Sequence, residues 1–486
     1  MNRKPWTFVL SASLMVSLFP SAAFGAASWA PDTSYQTGDE ADYNGSTYEI
    51  IQPHTSQKGW EPSKVPALWK KAPDRGNNDN YKIVTYYTSW SVYGRNFKVA
   101  DIDASKITHI NYAFADICWN GQHGNLDPTA PNPQSYACAD ETGTIDVPNG
   151  TIVQGDPWAD TGMAYPGDTG DEPVKGSFKQ LIKLKEANPH LQTIISVGGW
   201  SWSNRFSEVA ADPAARAAFA KSAVDFLRKY QFDGVDLDWE YPGGGGLAGN
   251  ASSPADKQNY TLLLRTIRAE LDKAGKADGK RYLLTIVSGA NPTFVTNTEL
   301  DKISKTVDWI NIMTYDFHGS GEKRAGQNAP LYYDRADNGA NPRNFNADQA
   351  IQNHLKAGVS PSKLVMGLAY YGFGLQGCGS ENGGLYQSCT GPSGTGTWEH
   401  GRYDFYDLEA NYINKNGYKR YWNNKTKTPY LYNPDGGVFI SYDDEQSIKE
   451  KVKYIKKNRL AGAMSWEVTQ DRSKTLQTAV RNGLRH

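Results

Sequence analysis

The sequence predicts a (β/α)₈ barrel with a small α+β insertion between its seventh and eighth strands, preceded by a small β-rich module. Three observations carry that expectation. From Tyr81 onward, eight apolar β-rich runs alternate with amphipathic stretches. Strands alternating with helices imply a parallel sheet, and eight such units imply a closed one. Two long irregular segments follow the C-terminal ends of strands, where barrel enzymes build their sites. Finally, a compact aromatic segment precedes the barrel and is set off from it by a polar stretch.

In chain order, residues 1–27 read as a signal peptide. Arg3 and Lys4 supply the charge, Phe8 to Phe19 is mostly apolar, and cleavage is expected near Gly25 to Ala27. That apolar run is too short to span a bilayer, and no later segment reaches the roughly 20 apolar residues a spanning helix needs. Residues 28–72 hold Trp29, Tyr35, Tyr43, Tyr48, Trp60 and Trp69, with Asn44-Gly45 as a hairpin turn signal. So small a segment has little core, so Trp29 and Trp69 are expected inside it. Trp60, between Gly59 and Pro62 on a polar turn, is its exposed stacking candidate. Residues 73–80 read as a linker, being rich in Asn and Asp with Gly76 among them.

The barrel proper is expected over residues 81–486. Its strand runs are Lys82–Tyr87, Ile107–Ala115, Gln192–Gly199, Phe232–Tyr241, Tyr282–Ser288, Asp308–Tyr315, Lys363–Gly372 and Leu460–Glu467. Helical patterns fall at Phe178–Ala187, Pro213–Lys229, Pro254–Ala274 and Glu445–Asn458. The first irregular segment runs from Ala115 to about Val174. The second, about 373–439, is the Tyr-, Asn- and Gly-rich insertion. A doubly wound open sheet is the alternative, but it normally carries a Gly-rich phosphate loop after its first strand, and none follows Tyr87.

Composition narrows the function. Basic and acidic residues number 51 and 52, so nothing on the surface calls for nucleic acid or an anionic membrane as partner. The 14 Trp and 29 Tyr are flat amphipathic rings suited to sugar, whose C–H faces are apolar and whose hydroxyls are not. Four cysteines are expected to pair in an oxidising compartment. Of three connectivities, Cys118 with Cys138 and Cys378 with Cys389 are the sequence-local choice. No Cys–x–x–Cys or clustered His is present, so neither a zinc site nor another cofactor is expected. A monomer is expected.

The fourth strand reads Phe232-Asp233-Gly234-Val235-Asp236-Leu237-Asp238-Trp239-Glu240-Tyr241-Pro242. Successive strand residues face opposite sides. Asp236, Asp238 and Glu240 therefore point into the barrel, while Val235, Leu237 and Trp239 point toward the helices. Burying three like charges is costly unless protons or hydrogen bonds are shared among them. Ionised Asp neighbours are expected to raise the pKa of Glu240 and keep it a proton donor. Asp233 has the opposite parity to Asp236 and reads as structural. A carboxylate metal site is the rival reading, but the row leads deeper into the barrel rather than around a cation.

This strand resembles the signature of family-18 glycoside hydrolases, the chitinase family. Three further segments resemble that family's motifs: Ser196-Val197-Gly198-Gly199-Trp200, Met313-Thr314-Tyr315-Asp316-Phe317-His318-Gly319 and Ala463-Met464-Ser465-Trp466-Glu467. The resemblance implies a secreted enzyme that cuts β-1,4 bonds between N-acetylglucosamine units with retention, the substrate's acetamido group acting as nucleophile. It makes Glu240 the acid and base and Asp238 the partner of the acetamido N–H, with Asp236 sharing a proton below. Tyr315 donates to the acetamido oxygen, Asp316 binds sugar hydroxyls, and Trp466 floors the subsite. Met313, Tyr371, Tyr86 and Trp90 are carried over as substrate-binding. Where many relatives carry Arg after Tyr-Gly, this chain has Phe373, which puts that subsite's geometry in question. In the insertion, Trp398, Tyr403, Tyr406 and Trp422 are candidates for further subsites. The N-terminal segment resembles a small chitin- or cellulose-binding module. Two other functions compete: a chitinase-like lectin, which typically lacks the acid, and an endo-β-N-acetylglucosaminidase acting on glycoproteins.

Overall fold

Eight strands pair in parallel into a closed ring: β1 (Lys82–Thr88), β2 (His109–Cys118), β3 (Gln192–Gly198), β4 (Gly234–Asp238), β5 (Leu283–Gly289), β6 (Trp309–Met313), β7 (Leu364–Ala369) and β8 (Gly462–Trp466). Closure is the pairing of β8 with β1, Gly462 opposite Lys82 and Ser465 opposite Thr85, while β1 also pairs with β2. The computed structural model describes residues 27–71 and 81–485, apart from 38, 44, 45, 126–133, 170, 173, 338 and 340. The expected signal peptide (all but its last residue), the linker at 73–80 and the Asn44-Gly45 turn lie outside the described residues. The chain divides into two units, Met1–Asn78 and Asp79–His486.

The barrel's helices begin and end on the chemistry of their ends. Pro213–Tyr230 starts on Asp212, whose side chain accepts from the Ala214 N–H at 2.9 Å, with Pro213 opening the first turn. It stops at Gln231, which is left-handed at φ 56°. Its Phe219, Ala223, Val224 and Leu227 are buried against the sheet. The helix expected at Pro254–Ala274 runs over Asp256–Asp278 instead, ending at Gly279 with φ 68°. The strand parity holds. Val235, Leu237 and Trp239 join the core between sheet and helices, and Trp239 stacks on Phe206 at 5.5 Å. Val84, Ile194, Val287, Val365 and Met464 fill the barrel interior.

The segment after β2 returns as a strand, Thr151–Gln154, antiparallel to β2, and carries the Cys118–Cys138 disulfide. The insertion after β7 is a mostly antiparallel sheet running from Tyr371–Gln376 to Val438–Ser441, wider than the expected 373–439. Among the described residues its helical content is confined to short pieces such as Phe405–Asp407 and Leu408–Tyr412. Cys378 and Cys389 are bonded within its own core.

In the N-terminal unit, Ala27–Ser28, Glu40–Tyr43, Ser46–Ile50 and Trp69–Lys71 form one sheet, and Ser34–Tyr35 pairs with His54–Thr55. Tyr35, Ala41, Ile50 and Trp69 make its core with Trp29 packed against them. Trp60 stays 38% exposed.

Candidate active site

The row of acids is built by β4 and finished by the loop above it. Asp236 is deepest and fully buried. The Tyr86 hydroxyl (2.7 Å) and Ser196 Oγ (2.8 Å) donate to its Oδ2, and Thr285 Oγ1 donates to its Oδ1 at 2.5 Å. Three hydroxyls from β1, β3 and β5 thus occupy lone pairs that a bound cation would need. The Tyr86 ring borders the site, and its hydroxyl donates to Asp236.

Asp238 ends the ladder, and its buried Oδ1 has no hydrogen-bond partner among the described residues. Glu240 lies two residues beyond the strand. The backbone there is held from the side: the Glu240 N–H donates to Ser203 Oγ at 2.8 Å, and Asn250 Nδ2 donates to the Glu240 carbonyl at 3.1 Å. Ser203 Oγ in turn donates to the Asp238 carbonyl at 3.0 Å. The glycines at the end of β3 and just beyond it are what let this happen. Gly198, at φ 102°, would place a Cβ 2.6 Å from the Asp238 carbonyl oxygen, and Gly199, at φ 75°, would place one 2.5 Å from the Phe114 ring. Ser196, Gly198 and Gly199 are thus packing and hydrogen-bonding neighbours of the acids. Asp233, on the other face, takes the Thr193 N–H (2.8 Å) and Lys185 Nζ (2.9 Å), a structural tie.

Electrostatics follow burial. Glu240 is pushed up to about 7 chiefly by desolvation, with the Tyr241 hydroxyl opposing and the charge of Asp316 adding to the rise. The expected direction holds, but burial, not the Asp neighbours on β4, is the main cause. Asp238 is raised well above the usual carboxylate range by burial and then by the charges of Glu240 and Asp236.

Around them lies a cavity of about 910 Å³, at the upper end of ligand-site sizes. Trp466 is half-buried at its floor, stacked on Phe114 at 6.0 Å and near Tyr86 at 5.4 Å. Trp90 and Met313 border it. Among the described residues the Tyr315 hydroxyl reaches only Met464 Sδ, a weak acceptor, at 3.8 Å, so a ligand oxygen would be a better partner. Asp316, left-handed at φ 57°, is held by its N–H on Asn328 Oδ1 (2.9 Å) and accepts from the Tyr371 hydroxyl. Burial raises its carboxyl, while Arg402 and Tyr371 pull it down.

Several lining residues escaped sequence reasoning. Trp200 and Trp202 border the cavity, Trp200 being 48% exposed; their place just beyond Gly198-Gly199 was the available signal. Phe114 and Arg402 had none. Arg402 arrives from the insertion, where Arg402–Asp404 pairs antiparallel with Tyr371–Gln376. By contrast, none of Trp398, Tyr403, Tyr406 and Trp422 borders this cavity. Tyr403 is fully buried, bonded to Ser393 and Thr395 and packed into the core shared with the barrel. Trp398 is 47% exposed, its Nε1 donating to Asp404.

Known proteins carry the same arrangement. Residues 82–471 match the family described as Glycosyl hydrolases family 18, and residues 28–70 match Carbohydrate-binding module family 5/12. The chain is 62% identical to Chitinase A1 of Niallia circulans over 410 residues, 84% of this chain and 59% of that protein. It is 35% identical to Endochitinase 1 of Metarhizium robertsii over 81% of this chain and 82% of that one. Among solved structures, Chitinase ChiA74 from Bacillus thuringiensis superposes with a TM-score of 0.80 at 51% identity, covering 84% of this chain and 70% of the other. With a closed eightfold barrel, an acid row on its fourth strand and a family match spanning all eight strands, the chain belongs to the family-18 glycosyl hydrolases.

Proposed function

We infer that the chain is a chitinase, hydrolysing β-1,4 bonds between N-acetylglucosamine units with retention, and that it is exported. One observation carries the reading: a buried acid raised to about 7, Glu240, beside a second raised carboxyl, Asp238, in an aromatic-lined cleft at the C-terminal mouth of the barrel. Glu240 protonates the glycosidic oxygen as the C1–O bond breaks. The carbonyl oxygen of the sugar's own acetamido group closes on C1, giving a cyclic oxazolinium. Asp238 accepts the acetamido N–H and offsets the positive ring, sharing a proton with Asp236 below, and the Tyr315 hydroxyl donates to the acetamido oxygen. Glu240, now ionised, takes a proton from the water that reopens the ring. Asp316 binds sugar hydroxyls and Trp466 supplies the apolar floor. Export rests on the N-terminal charge and apolar run; among the described residues no helix is long and apolar enough to cross a membrane.

The test is release of soluble oligosaccharide from insoluble chitin, run beside a glycoprotein carrying N-linked glycans. Chitin is expected to be cut and the glycoprotein not; the reverse would make the chain an endo-β-N-acetylglucosaminidase. Cellulose oligomers, which lack the acetamido group, should be inert, and ready cleavage of them would overturn the substrate-assisted mechanism.

Residues 28–72 are read as a surface-targeting module, with Trp60 as its platform. Deleting them is expected to abolish adsorption to insoluble chitin and lower activity on the solid. Turnover of a soluble oligomer should be unchanged, because the module raises only the local concentration at the surface. Trp60→Ala alone is expected to reproduce much of the loss. A pull-down on chitin comparing the three proteins decides it, and equal adsorption would remove the module from binding.

A further inference from the structure

The cleft is lined by three carboxylates, Asp238, Glu240 and Asp316, and, among the described residues, by one cation, Arg402. Arg402 stands directly across the strand pair from Phe373, so the two side chains share a face. Its guanidinium lies 4.6 Å from the centre of the Tyr371 ring and 5.9 Å from that of Phe373. Stacking on the two rings fixes its plane and directs its N–H edge away from them. A guanidinium has five N–H donors. The one hydrogen bond among the described residues runs to Glu399 Oε1 at 3.5 Å, the outer limit of such a contact, and Glu399 is itself 65% exposed. Arg402 therefore faces the cleft with most of its donors open, its side chain 34% exposed.

When a ligand fills the cleft, those donors lose water. Leaving them unmet would carry the desolvation penalty of a charged group. We propose that Arg402 is a substrate-binding residue of this cleft, its guanidinium donating hydrogen bonds to hydroxyl or carbonyl oxygens of the sugar unit seated beside Tyr371. The cation thus reaches the site from the strand opposite Phe373. This rests on the reading of the substrate above. The groups around the guanidinium agree with such a role: Tyr371 and Phe373 on one strand, Asp404 on its own strand, Glu399 just before it, and Asp316, which accepts from the Tyr371 hydroxyl. Asp316 and Arg402 then grip one sugar from two sides, as acceptor and donor.

The test uses the full chain carrying Glu240→Gln, expected to bind without cutting, and measures its affinity for a soluble β-1,4-linked N-acetylglucosamine hexamer by calorimetry. Adding Arg402→Met keeps the stem over Tyr371 and removes every donor. Binding is expected to weaken roughly ten- to hundredfold, the range for losing a charge-assisted hydrogen bond. Arg402→Lys keeps the charge without the planar fork and should fall in between. Combining Phe373→Arg with Arg402→Met returns a guanidinium to the same face and should recover most of the affinity. A loss under about fivefold in Arg402→Met, with an unaltered melting temperature, would overturn the proposal. If that variant does not fold, Arg402→Lys decides, and parent-like affinity there would overturn it equally. Failure of the Glu240→Gln parent to bind the hexamer would instead refute the substrate reading itself.

Discussion

Glu240→Gln is expected to lower turnover of soluble N-acetylglucosamine oligomers by about 10²–10⁴-fold, the contribution of a positioned general acid, with affinity for the same oligomers retained. The amide matches the carboxyl in shape but has no proton to give a leaving oxygen. The backbone contacts to Ser203 and Asn250 do not involve the side chain, so they survive. Steady-state kinetics with calorimetric binding checks this, and a variant keeping a tenth or more of parental turnover would not have lost its acid. Stability provides a second readout. Glu240 rises from 4.5 to about 7 on folding, so the native state resists its ionisation. The parent therefore loses stability as pH climbs from about 4.5 to 7, by an amount of the order of 3 kcal/mol. The variant escapes that loss, so it should be the more stable of the two above pH 7, the gap closing toward pH 4. Denaturant melts at both ends of the range measure it.

Asp238→Asn should cost on the order of 10²–10³-fold in kcat, the scale for removing one preorganised electrostatic partner of a charge formed in the transition state. The change in pH profile is more specific. In the parent, burial and the charges of Glu240 and Asp236 raise Asp238, and Glu240 titrates beside it. Asparagine cannot ionise, so the acidic arm of the kcat/KM profile should shift in the variant. An unchanged profile would remove Asp238 from the mechanism.

The acid row was legible because strand parity is local: one residue in two faces the barrel, and a run of Asp-x-Asp-x-Glu admits no other reading once β4 is placed. The strand itself proved shorter than its apolar run. The ladder ends at Asp238, and Glu240 is held by Ser203 and Asn250 instead, contacts that no periodicity encodes. Tyr86 was legible as an aromatic at a strand mouth, yet its partner lies 150 positions away on β4. The helix ending at Asp278 outran its apolar pattern because Gly279, not the loss of amphipathicity, stops it. Arg402 was invisible for the same reason as the insertion's margins: its place depends on pairing Phe373 with a residue 29 positions on (402 − 373), within a segment whose aromatics serve partly as its own core. The substitution at Phe373 looked like a lost contact until that pairing brought a cation to the same face.

The insertion holds itself together. Leu375, Leu385, Tyr430, Tyr432 and Phe439 pack around the Cys378–Cys389 bond as a core distinct from that of the barrel. The acids stand on the barrel, while Arg402 comes from the insertion, whose inner residues Tyr403, Leu431 and Ile440 pack into the barrel's own core. A breeder of new enzymes could randomise the outer strands of the insertion to change which chain lengths are favoured as products, leaving the acids on β4 and their hydroxyl supports untouched.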